Sequence, residues 1–246
     1  MPTWIDSSHK EWKIRRKWHT AFKNLTIVTP SIWLSQFVNH SFFKGITTKV
    51  IYNGINLDNF STKKNINLKK LHNIKNETHI ILGVSANWEF RKGVKYFIEL
   101  SNIITEKYKI VLIGNMPPVI KESLTPQILQ IEQTTNVQEL AAWYQTASVF
   151  INPTLADNFP TTNIEALASG TPVITFRTGG SIEAIDKHTG IIVEKKDVHQ
   201  LFNAIEKICN SPNEFTEENC KKRSKLFSIT QYDLYVNLYN SILEKK

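Results

Sequence analysis

The feature that most constrains the fold of this chain is a regular alternation of apolar and amphipathic segments between residues 79 and 209. The apolar runs have the length of buried strands and lie at 79–84, 109–113, 127–131, 148–151, 173–176 and 191–193. Segments with helical spacing of apolar residues separate them, at 94–106, 137–146, 163–168 and 197–209. Strands that are apolar throughout and alternate with helices are typical of a parallel sheet covered on both faces. With right-handed crossovers, this predicts an α/β fold with a Rossmann-like, doubly wound parallel sheet, whose ligands lie beyond the carboxyl ends of the strands.

The residues before this alternation form a distinct block. Apolar positions that repeat opposite a row of lysines and arginines predict an amphipathic helix, and they are Ile14, Trp18, Ala21, Phe22 and Leu25. A strand, a helix and a second strand follow, at 25–28, from the N-cap residue Ser31 to about residue 43, and at 48–51. The turn at Asn53-Gly54 then opens a polar, lysine-rich stretch, 53–76, which we interpret as a linker.

Helical patterns at 214–226 and 233–243 close the chain. We therefore divide it into an N-terminal block, 1–60, a central α/β domain, 61–228, and a C-terminal helix, 229–246. The amphipathic helix of the first block would either pack on its own domain, which we favour, or rest on an anionic membrane surface.

The balance of charge narrows the class of partner. The chain carries 30 lysines and arginines against 22 acidic residues, a net charge of +8 that suits an acidic partner. Neither a zinc-finger spacing nor an aromatic ribonucleoprotein motif accompanies the cations, so we expect no nucleic-acid partner and interpret the basic clusters as solvated helix faces. No apolar run reaches the roughly 18–20 residues of a membrane-spanning helix, and residues 1–6 show no signal-peptide pattern. With Cys209 and Cys220 interpreted as free thiols, we expect a cytoplasmic protein.

Loops at the carboxyl ends of predicted strands carry residues suited to a ligand. The first loop, 87–93, places Arg91, Lys92 and Gly93 at the start of a helix. Two cations beside the N–H groups of a helix form a natural diphosphate site, because the helix adds backbone donors and the positive end of its dipole. Taken alone, this pattern is more typical of a surface turn. At another strand end, the pair Gly179-Gly180 permits close approach to a ligand.

A second loop leads into the helix that carries Glu165. We expect Thr161, Thr162 or Asn163 to cap this helix and to leave its N–H groups facing a ligand. Seven residues separate Asp157 from Glu165. One carboxylate can therefore accept hydrogen bonds from a sugar and the other from a ribose diol, whereas as isolated acids they would be a cap and a surface residue.

This second loop also carries a resemblance to a known family. Its sequence reads Asp157-Asn158-Phe159-Pro160-x4-Glu165-Ala166-Leu167-Ala168-Ser169-Gly170-Thr171-Pro172. It resembles the Glu-x7-Glu region of group 1 glycosyltransferases, carbohydrate-active family 4, and looks closest to the bacterial surface-polysaccharide (colanic-acid-type) branch. Other blocks agree in order and spacing, namely Thr29-Pro30-Ser31, Val50-Ile51-Tyr52-Asn53-Gly54, Trp88-x-x-Arg91-Lys92-Gly93 and Gln133-Thr134-Thr135-Asn136. The resemblance runs from about Leu25 to Leu201.

The resemblance implies a fold and roles for single residues. The fold is the carboxyl-terminal half of a two-Rossmann (GT-B) architecture with a remnant of its N-terminal domain. Lys92, helped by Arg91, would hold and stabilise the donor diphosphate, while Asp157 would contact the transferred hexose and Glu165 the ribose. The donor-binding residues would be Arg91, Lys92, Gln133, Asp157, Asn158, Phe159, Pro160, Thr161, Thr162 and Glu165. Gln133 belongs to a base-facing loop, and the N–H groups of residues 158, 159, 161 and 162 would face the sugar and the phosphates.

The resemblance also implies a mechanism. Transfer would retain the anomeric configuration by front-face attack, with leaving-group stabilisation as the main contribution of the protein. We expect no metal and no cofactor. Two positions depart from the family's pattern: Asp157 stands where members usually carry a glutamate, and Ala86 stands where many carry an arginine, so Arg91 is expected to replace that phosphate contact. The glycine-rich loop and the acceptor site of the family's first domain have no counterpart in the matching blocks, which suggests a truncated product or one half of a split enzyme.

Several functions remain open at this point. We favour the donor half of a transferase that moves a hexose from a UDP- or GDP-sugar to a polysaccharide or lipid-linked acceptor. The alternative is a catalytically incomplete nucleotide-sugar-binding module that needs a separate N-terminal chain. A hydrolase that uses Asp157 and Glu165 as a carboxylate pair, about 5–9 Å apart, ranks below both.

Overall fold

The computed structural model describes residues 6–22, 24–63 and 65–244. Its α-helices are α1 (Ser8–Thr20), α2 (Ile32–Asn39), α3 (Asp58–Ser61), α4 (Leu68–Leu71), α5 (Val94–Ser101), α6 (Pro118–Lys121), α7 (Val137–Thr146), α8 (Thr161–Ala168), α9 (Val198–Asn210), α10 (Glu217–Ser224) and α11 (Asp233–Leu243). Its strands are β1 (Thr26–Thr29), β2 (Thr47–Val50), β3 (His79–Asn87), β4 (Tyr108–Asn115), β5 (Ile128–Ile131), β6 (Val149–Asn152), β7 (Val173–Phe176) and β8 (Gly190–Val193). Residues 1–5, on which most of the signal-peptide expectation rests, lie outside this description.

Strands β3 to β8 form a parallel sheet in the order β5-β4-β3-β6-β7-β8. The chain starts in the middle, runs outward through β4 to β5, crosses back to β6 and runs outward again to β8. This is the doubly wound arrangement predicted from the sequence, and it is confirmed. The strands lie within a few residues of their predicted bounds, because continuous apolar runs mark buried strands well.

Both faces of this sheet are packed. Successive side chains of a strand point to opposite faces, so Ile81 joins a cluster with α5 and α9, while Leu82 joins a second cluster with α7 and α8. Both side chains are fully buried. Full burial of one such side chain stabilises a fold by roughly 1.5–3 kcal/mol. The sheet and the helices on its two faces therefore form the main core of the molecule.

The N-terminal block forms a smaller unit beside this sheet. Strands β1 and β2 pair in parallel, and Ser31 caps α2 by accepting a hydrogen bond from the backbone N–H of Leu34. Helix α1 has no buried residue, and the apolar side predicted to pack on the domain is exposed at Ile14 and Trp18. The packing interpretation of that side was therefore wrong. The ring of Trp12, on another side of the helix, contacts the ring of Phe42 instead.

Two further predictions need correction. The stretch 53–76 is not a plain linker, because α3 and α4 lie in it and place Phe60 and Leu68 in the core. The helix predicted at 94–106 ends at Ser101, since the chain then turns so that Ile104 packs into the core ahead of β4. Short 3-10 helices at Phe90–Lys92, Gly179–Ala184, Lys225–Phe227 and Ile229–Tyr232 were not predicted.

Two remaining features concern the cysteines and membrane-spanning helices. Cys209 and Cys220 are free thiols. Within the described ranges, no helix combines the length and the apolar character needed to cross a membrane. The three-part division of the chain stays a prediction.

Candidate functional site

The carboxyl ends of β3 and β6 meet where the sheet reverses its strand order. In open sheets of this kind, ligands bind in the crevice at that switch point. The loop after β3 carries Arg91 and Lys92, and the loop after β6 carries Asp157. Gly93 has a positive φ of 83°, and a Cβ at this position would lie 2.1 Å from the carbonyl oxygen of Pro153. Only glycine therefore lets the two loops come this close.

An ion pair bridges the switch point. The Nζ atom of Lys92 lies 2.9 Å from Oδ2 of Asp157, and their side chains are 30% and 17% exposed. The sequence predicted both residues as site residues, and the fold brings them into direct contact across 65 positions of the chain. Because both groups are largely shielded from water, this pair is stronger than an ordinary surface ion pair.

Arg91 ties the same two loops together. Its carbonyl oxygen accepts hydrogen bonds from the backbone N–H of Leu155 and the hydroxyl of Thr154. Its guanidinium donates to the carbonyl oxygen of Ala156 at 3.0 Å and to the carboxylate of Glu89 at 2.7 Å. The side chain is about half exposed. Arg91 thus lies at the mouth of the crevice, bound through contacts that an anionic ligand can replace.

A first cavity, of about 250 Å³, lies between the two loops. It is lined by Val84, Ser85, Ala86, Asn87, Trp88, Glu89, Arg91, Lys92, Ile151, Asn152, Pro153, Asp157 and Thr162. Ala86, which stands where an arginine was expected, opens onto this cavity close to Arg91. The cavity is polar on the side of Lys92, Asp157 and Thr162, and it follows the carboxyl ends of β3 and β6.

A second cavity, of about 500 Å³, shares Arg91, Lys92 and Asp157 with the first. It is lined by Trp33, Arg91, Lys92, Leu155, Ala156, Asp157, Asn158, Thr178, Gly179 and Lys195. Trp33 comes from α2 of the N-terminal block, and Lys195 follows β8 at the edge of the sheet. Sequence reasoning identified neither residue, because α2 reaches the site only through tertiary packing.

Glu165 lies in the middle of α8 and lines neither cavity. Its carboxylate accepts a hydrogen bond from the hydroxyl of Tyr144 at 3.0 Å. Burial raises the pKa of Glu165, and hydrogen bonds from Tyr144 and Thr161 partly oppose this effect. Burial and the nearby Glu165 carboxylate raise the pKa of Tyr144 far above its ordinary value. Additional hydroxyl donors would therefore stabilise the charged form of the Glu165 carboxylate.

The start of α8 differs from the prediction. None of Thr161, Thr162 and Asn163 caps the helix, because it already begins at Thr161 and Pro160 occupies the N-cap position without a side-chain hydrogen bond. Asn163 is fully buried and donates to the carbonyl oxygen and the hydroxyl of Ser181, while its side-chain oxygen accepts from Asn152. This buried network fixes α8 against the carboxyl ends of β6 and β7.

Other predicted donor-binding residues lie apart from the two cavities. The side chains of Gln133, Phe159, Pro160 and Thr161 line neither of them. Gln133 is exposed, whereas Phe159 is buried with its ring against Tyr52 and Phe227. The ring of Phe159 is therefore a packing element, and its predicted role as a backbone donor stays a prediction.

Glu183 is a residue that sequence reasoning missed. Its carboxylate accepts hydrogen bonds from the backbone N–H groups of Ile32 and Trp33, at 2.9 and 2.8 Å, and from the hydroxyl of Tyr52 at 3.0 Å. Arg223 in turn donates to its carbonyl oxygen at 2.7 Å. Burial and the hydrogen bond to Glu183 raise the pKa of Tyr52 to about 12. Glu183 thus fixes the start of α2, and with it Trp33, against the sheet domain.

Among the residues that the structure describes, no group of three or more His, Cys, Asp or Glu side chains is arranged to hold a metal ion. Metal-independent chemistry stays a prediction.

Comparisons with known proteins identify the family. Residues 78–211, more than half of the chain, match the family described as glycosyl transferases group 1. The chain is 31% identical over 209 residues to the capsular polysaccharide biosynthesis glycosyltransferase CapM of Staphylococcus aureus, covering 78% of this chain and 54% of that protein. It is 29% identical over 191 residues to an uncharacterized glycosyltransferase of Methanocaldococcus jannaschii, covering 71% and 48%. The chain thus spans about half the length of the curated relatives it matches.

Solved structures share the fold. A sucrose-phosphate synthase from Thermosynechococcus elongatus is similar with a TM-score of 0.81 at 22% identity, over 99% of this chain and 65% of that one. A glycosyltransferase from Rickettsia africae gives 0.83 at 20% identity, over 94% and 67%. Anabaena HepE, solved in complex with UDP, gives 0.77 at 16% identity, over 95% and 68%. The parallel α/β sheet is thus that of GT-B glycosyltransferases, and with the match over residues 78–211 the chain belongs to the group 1 glycosyl transferases.

Proposed function

We propose that the crevice at the switch point binds a nucleotide-sugar donor, and that the chain is the donor half of a retaining hexosyltransferase. The acceptor would be a polysaccharide or a lipid-linked glycan. The observation that carries the proposal is the Lys92–Asp157 pair, 2.9 Å long, which lies across the junction of β3 and β6 and lines both cavities. The pair brings a cation for a diphosphate and a carboxylate for sugar hydroxyls to one point.

Lys92 would stabilise the departing diphosphate. When the bond between the sugar and the diphosphate breaks, negative charge grows on the leaving oxygen, and a fixed ammonium lowers the energy of that state. The first cavity also contains Thr162, in the first turn of α8, where N–H groups lack a side-chain cap. Such N–H groups and the helix dipole favour bound phosphate. Arg91 would add a second cation at the mouth.

Glu165 would hold the ribose. Glu165 lies one turn beyond Thr161, so the two residues are on the same side of α8. The side chain of Thr161 already hydrogen-bonds the carboxylate of Glu165. A buried carboxylate with one tyrosine donor is poorly solvated, so the two hydroxyls of a ribose diol would stabilise its charged form. Gln133 would approach the base from the loop after β5.

Relatives support the ligand class. HepE was solved with UDP, with UDP and glucose, and with UDP-glucose. CapM is named for capsular polysaccharide biosynthesis. We therefore propose a UDP- or GDP-hexose as donor, an acceptor from bacterial surface-polysaccharide synthesis of the colanic-acid type, and no metal in the reaction.

Donor binding is tested by thermal shift with UDP, GDP, ADP and their hexose conjugates. A ligand at 100 times its dissociation constant stabilises the folded state by about 2.7 kcal/mol. We expect one nucleotide to raise the melting temperature, and we expect Lys92→Gln and Glu165→Gln to weaken this effect. Lys95→Gln is the matched control, because Lys95 is 61% exposed and lines neither cavity. No shift with any nucleotide, for a chain that unfolds cooperatively, would contradict the proposal.

Transfer is tested separately from binding. The chain is incubated with the identified nucleotide-sugar and a glycan acceptor, and the stereochemistry of the product is read by NMR. A retained linkage supports the transferase. Donor binding without transfer, restored by adding an N-terminal domain of a relative as a separate chain, supports the alternative of a binding module.

A contact of α1 with an anionic membrane at the cytoplasmic face is part of the same proposal. Ile14 and Trp18 are exposed, and Lys10, Lys13 and Lys17 lie on the same helix. Apolar and cationic side chains together favour an anionic bilayer surface. Co-sedimentation with anionic but not zwitterionic vesicles, reduced by Trp18→Ser, is the expected result. Equal sedimentation with both vesicles would contradict it.

A further inference from the structure

The second cavity shares Arg91, Lys92, Asp157 and Asn158 with the proposed donor site, but Trp33, Gly179 and Lys195 in its lining have no role there. Its cationic side chains are Arg91, Lys92 and Lys195, against the single carboxylate of Asp157. The first cavity has two cations, Arg91 and Lys92, against two carboxylates, Glu89 and Asp157. The second cavity is therefore the more positive of the two, and it favours an anionic ligand.

We propose that the second cavity binds an acidic sugar unit of the acceptor. The sugar ring would lie against the indole of Trp33, and its carboxylate or phosphate would bind Lys195 and Arg91. This inference rests on the proposed function, because it assumes that the donor occupies the first cavity.

Lys195 is available for such a ligand. It is exposed and follows β8, and it forms no ion pair or hydrogen bond with any residue that the structure describes. Its neighbour Glu194 is paired with Arg177 instead. Arg91 is held by Glu89 in a half-exposed pair, and such pairs contribute little to stability. An anion in the second cavity can therefore recruit both cations at small cost.

Trp33 is positioned before any ligand arrives. The carboxylate of Glu183 accepts hydrogen bonds from the N–H groups of Ile32 and Trp33, which fixes the first turn of α2. Beside it, a Cβ at Gly179 would lie 3.6 Å from the indole and 2.0 Å from the carbonyl oxygen of Asp157. Gly179 thus lets the loop that carries Asp157 pack close to Trp33. A wall that is already ordered loses little entropy when a sugar stacks on it.

The location suits an acceptor and not a second donor. The cavity shares Lys92 and Asp157 with the first cavity, so a sugar in it lies beside the carbon proposed to be transferred. In the step itself, an acceptor hydroxyl oxygen forms a bond to C1 of the donor hexose, and the bond from C1 to the diphosphate oxygen breaks. The hydroxyl proton passes to the departing diphosphate. An acidic group held at Lys195 would orient the acceptor hydroxyl toward C1.

Calorimetric titration with small probes tests this inference, with and without the nucleotide found by thermal shift. The probes are methyl glucuronide, glucose 1-phosphate and, as the neutral reference, methyl glucoside. We expect at least one acidic probe to bind at least tenfold more tightly than the neutral one, which corresponds to about 1.4 kcal/mol. Preference for the glucuronide indicates a uronic-acid acceptor, and preference for the phosphate indicates a phosphorylated one.

Variants assign the binding to this cavity. Lys195→Gln and Trp33→Leu should each weaken the acidic probe about tenfold and change nucleotide affinity less than twofold. Lys196→Gln is the control, because Lys196 is the neighbouring exposed lysine and does not line the cavity. Circular dichroism confirms that each variant is folded.

Three results would overturn the inference, and they are distinguishable. Equal affinity for acidic and neutral probes would show that the second cavity does not prefer an anionic ligand. Equal loss of nucleotide and probe binding in the variants assigns the second cavity to the donor. Binding of the acidic probe that depends on Lys195, in a chain that binds no nucleotide, refutes the proposed donor site and removes the acceptor role with it.

Discussion

The sheet domain and the N-terminal block are held in place by different forces. In the sheet domain, Phe150 and Leu82 are buried between the sheet and helices α7 and α8. In the N-terminal block, β2 alternates exposed and half-buried residues, and α2 has no fully buried residue. Burial of apolar area is the main favourable term in folding. The sheet domain therefore carries most of the stability.

Polar contacts and close backbone packing hold α2 to the sheet domain, whereas Phe60 and the ring of Tyr52 hold the end of the N-terminal block by apolar contacts. Glu183 binds the start of α2, and Gly180 lies against Ser31, because a Cβ at residue 180 would be 2.5 Å from that of Ser31. An isolated parallel β-bridge also pairs Ile55 of the N-terminal block with Ser228 of the central domain. Since Trp33 belongs to the block and Lys92 to the sheet domain, the second cavity depends on both kinds of contact. Its geometry is easier to disturb than that of the first cavity.

The largest expected effect is a difference in stability between two phenylalanine-to-alanine substitutions, one in each region. Phe150→Ala in the core of the sheet should lower the free energy of unfolding by about 3–5 kcal/mol, because it removes a buried ring and leaves a cavity. Phe37→Ala on α2 should change it by less than about 0.5 kcal/mol, because Phe37 is 65% exposed. Urea titration followed by circular dichroism measures both. Equal losses would contradict the contrast between the two regions.

Gly180→Ala should have the next largest effect, at the contact between the regions. Its Cβ would lie 2.0 Å from the carbonyl oxygen of Asn158 and 2.5 Å from Cβ of Ser31, so the block must move. Such overpacking costs roughly 1–3 kcal/mol. Hydrogen exchange should show faster opening of α2, with β4 still protected. Gly45→Ala separates overlap from backbone strain, because Gly45 has a φ of +89° and nothing within 4 Å of the added Cβ, whereas Gly180 is not among the glycines of positive φ.

Glu183→Gln should have a smaller, local effect. The amide keeps one oxygen acceptor and presents an N–H₂ donor to the N–H groups of Ile32 and Trp33, which leaves one of them unbound. An unmet hydrogen bond of this kind costs on the order of 1 kcal/mol. We expect faster exchange of these two amides and weaker binding of acidic probes in the second cavity, with nucleotide affinity preserved. A variant that loses nucleotide affinity equally would show that the block supports both cavities.

The sequence predicted the sheet domain well, and the physical reason is local. A strand buried on both faces must be apolar throughout, so β3 and β7 can be recognised from short runs of residues. Strand ends then predict which loops carry ligand-binding residues, and Lys92 and Asp157 lie in two such loops, although their ion pair was not predicted. Helix ends were less certain. The cap of α8 was misplaced because Pro160, and not Thr161, stands at the N-cap.

Contacts between distant segments were not predictable in the same way. The first turn of α2 must satisfy its N–H groups, and Ser31 was recognised as one partner. The other partner, Glu183, lies about 150 positions away, and no pattern selects it from the 22 acidic residues of the chain. The same holds for Trp33 in the second cavity and for Tyr144 beside Glu165. These contacts are set by how the elements pack and not by their own sequence.

The smallest expected effect concerns Glu165, the buried carboxylate of the sheet domain. Its pKa is raised by burial, so the folded state favours the protonated form. As pH rises above the ordinary value of 4.5, the unfolded chain loses this proton first, and the stability that the group contributes is lost as pH rises through its folded pKa. Glu165→Gln does not titrate, so its stability relative to the original chain should increase over that window. The nucleotide affinity of the original chain should rise with pH over the same window, because a ribose diol binds the charged carboxylate. Urea titrations and nucleotide titrations across this pH range measure both, and a nucleotide affinity that is flat with pH would exclude Glu165 from the ribose site.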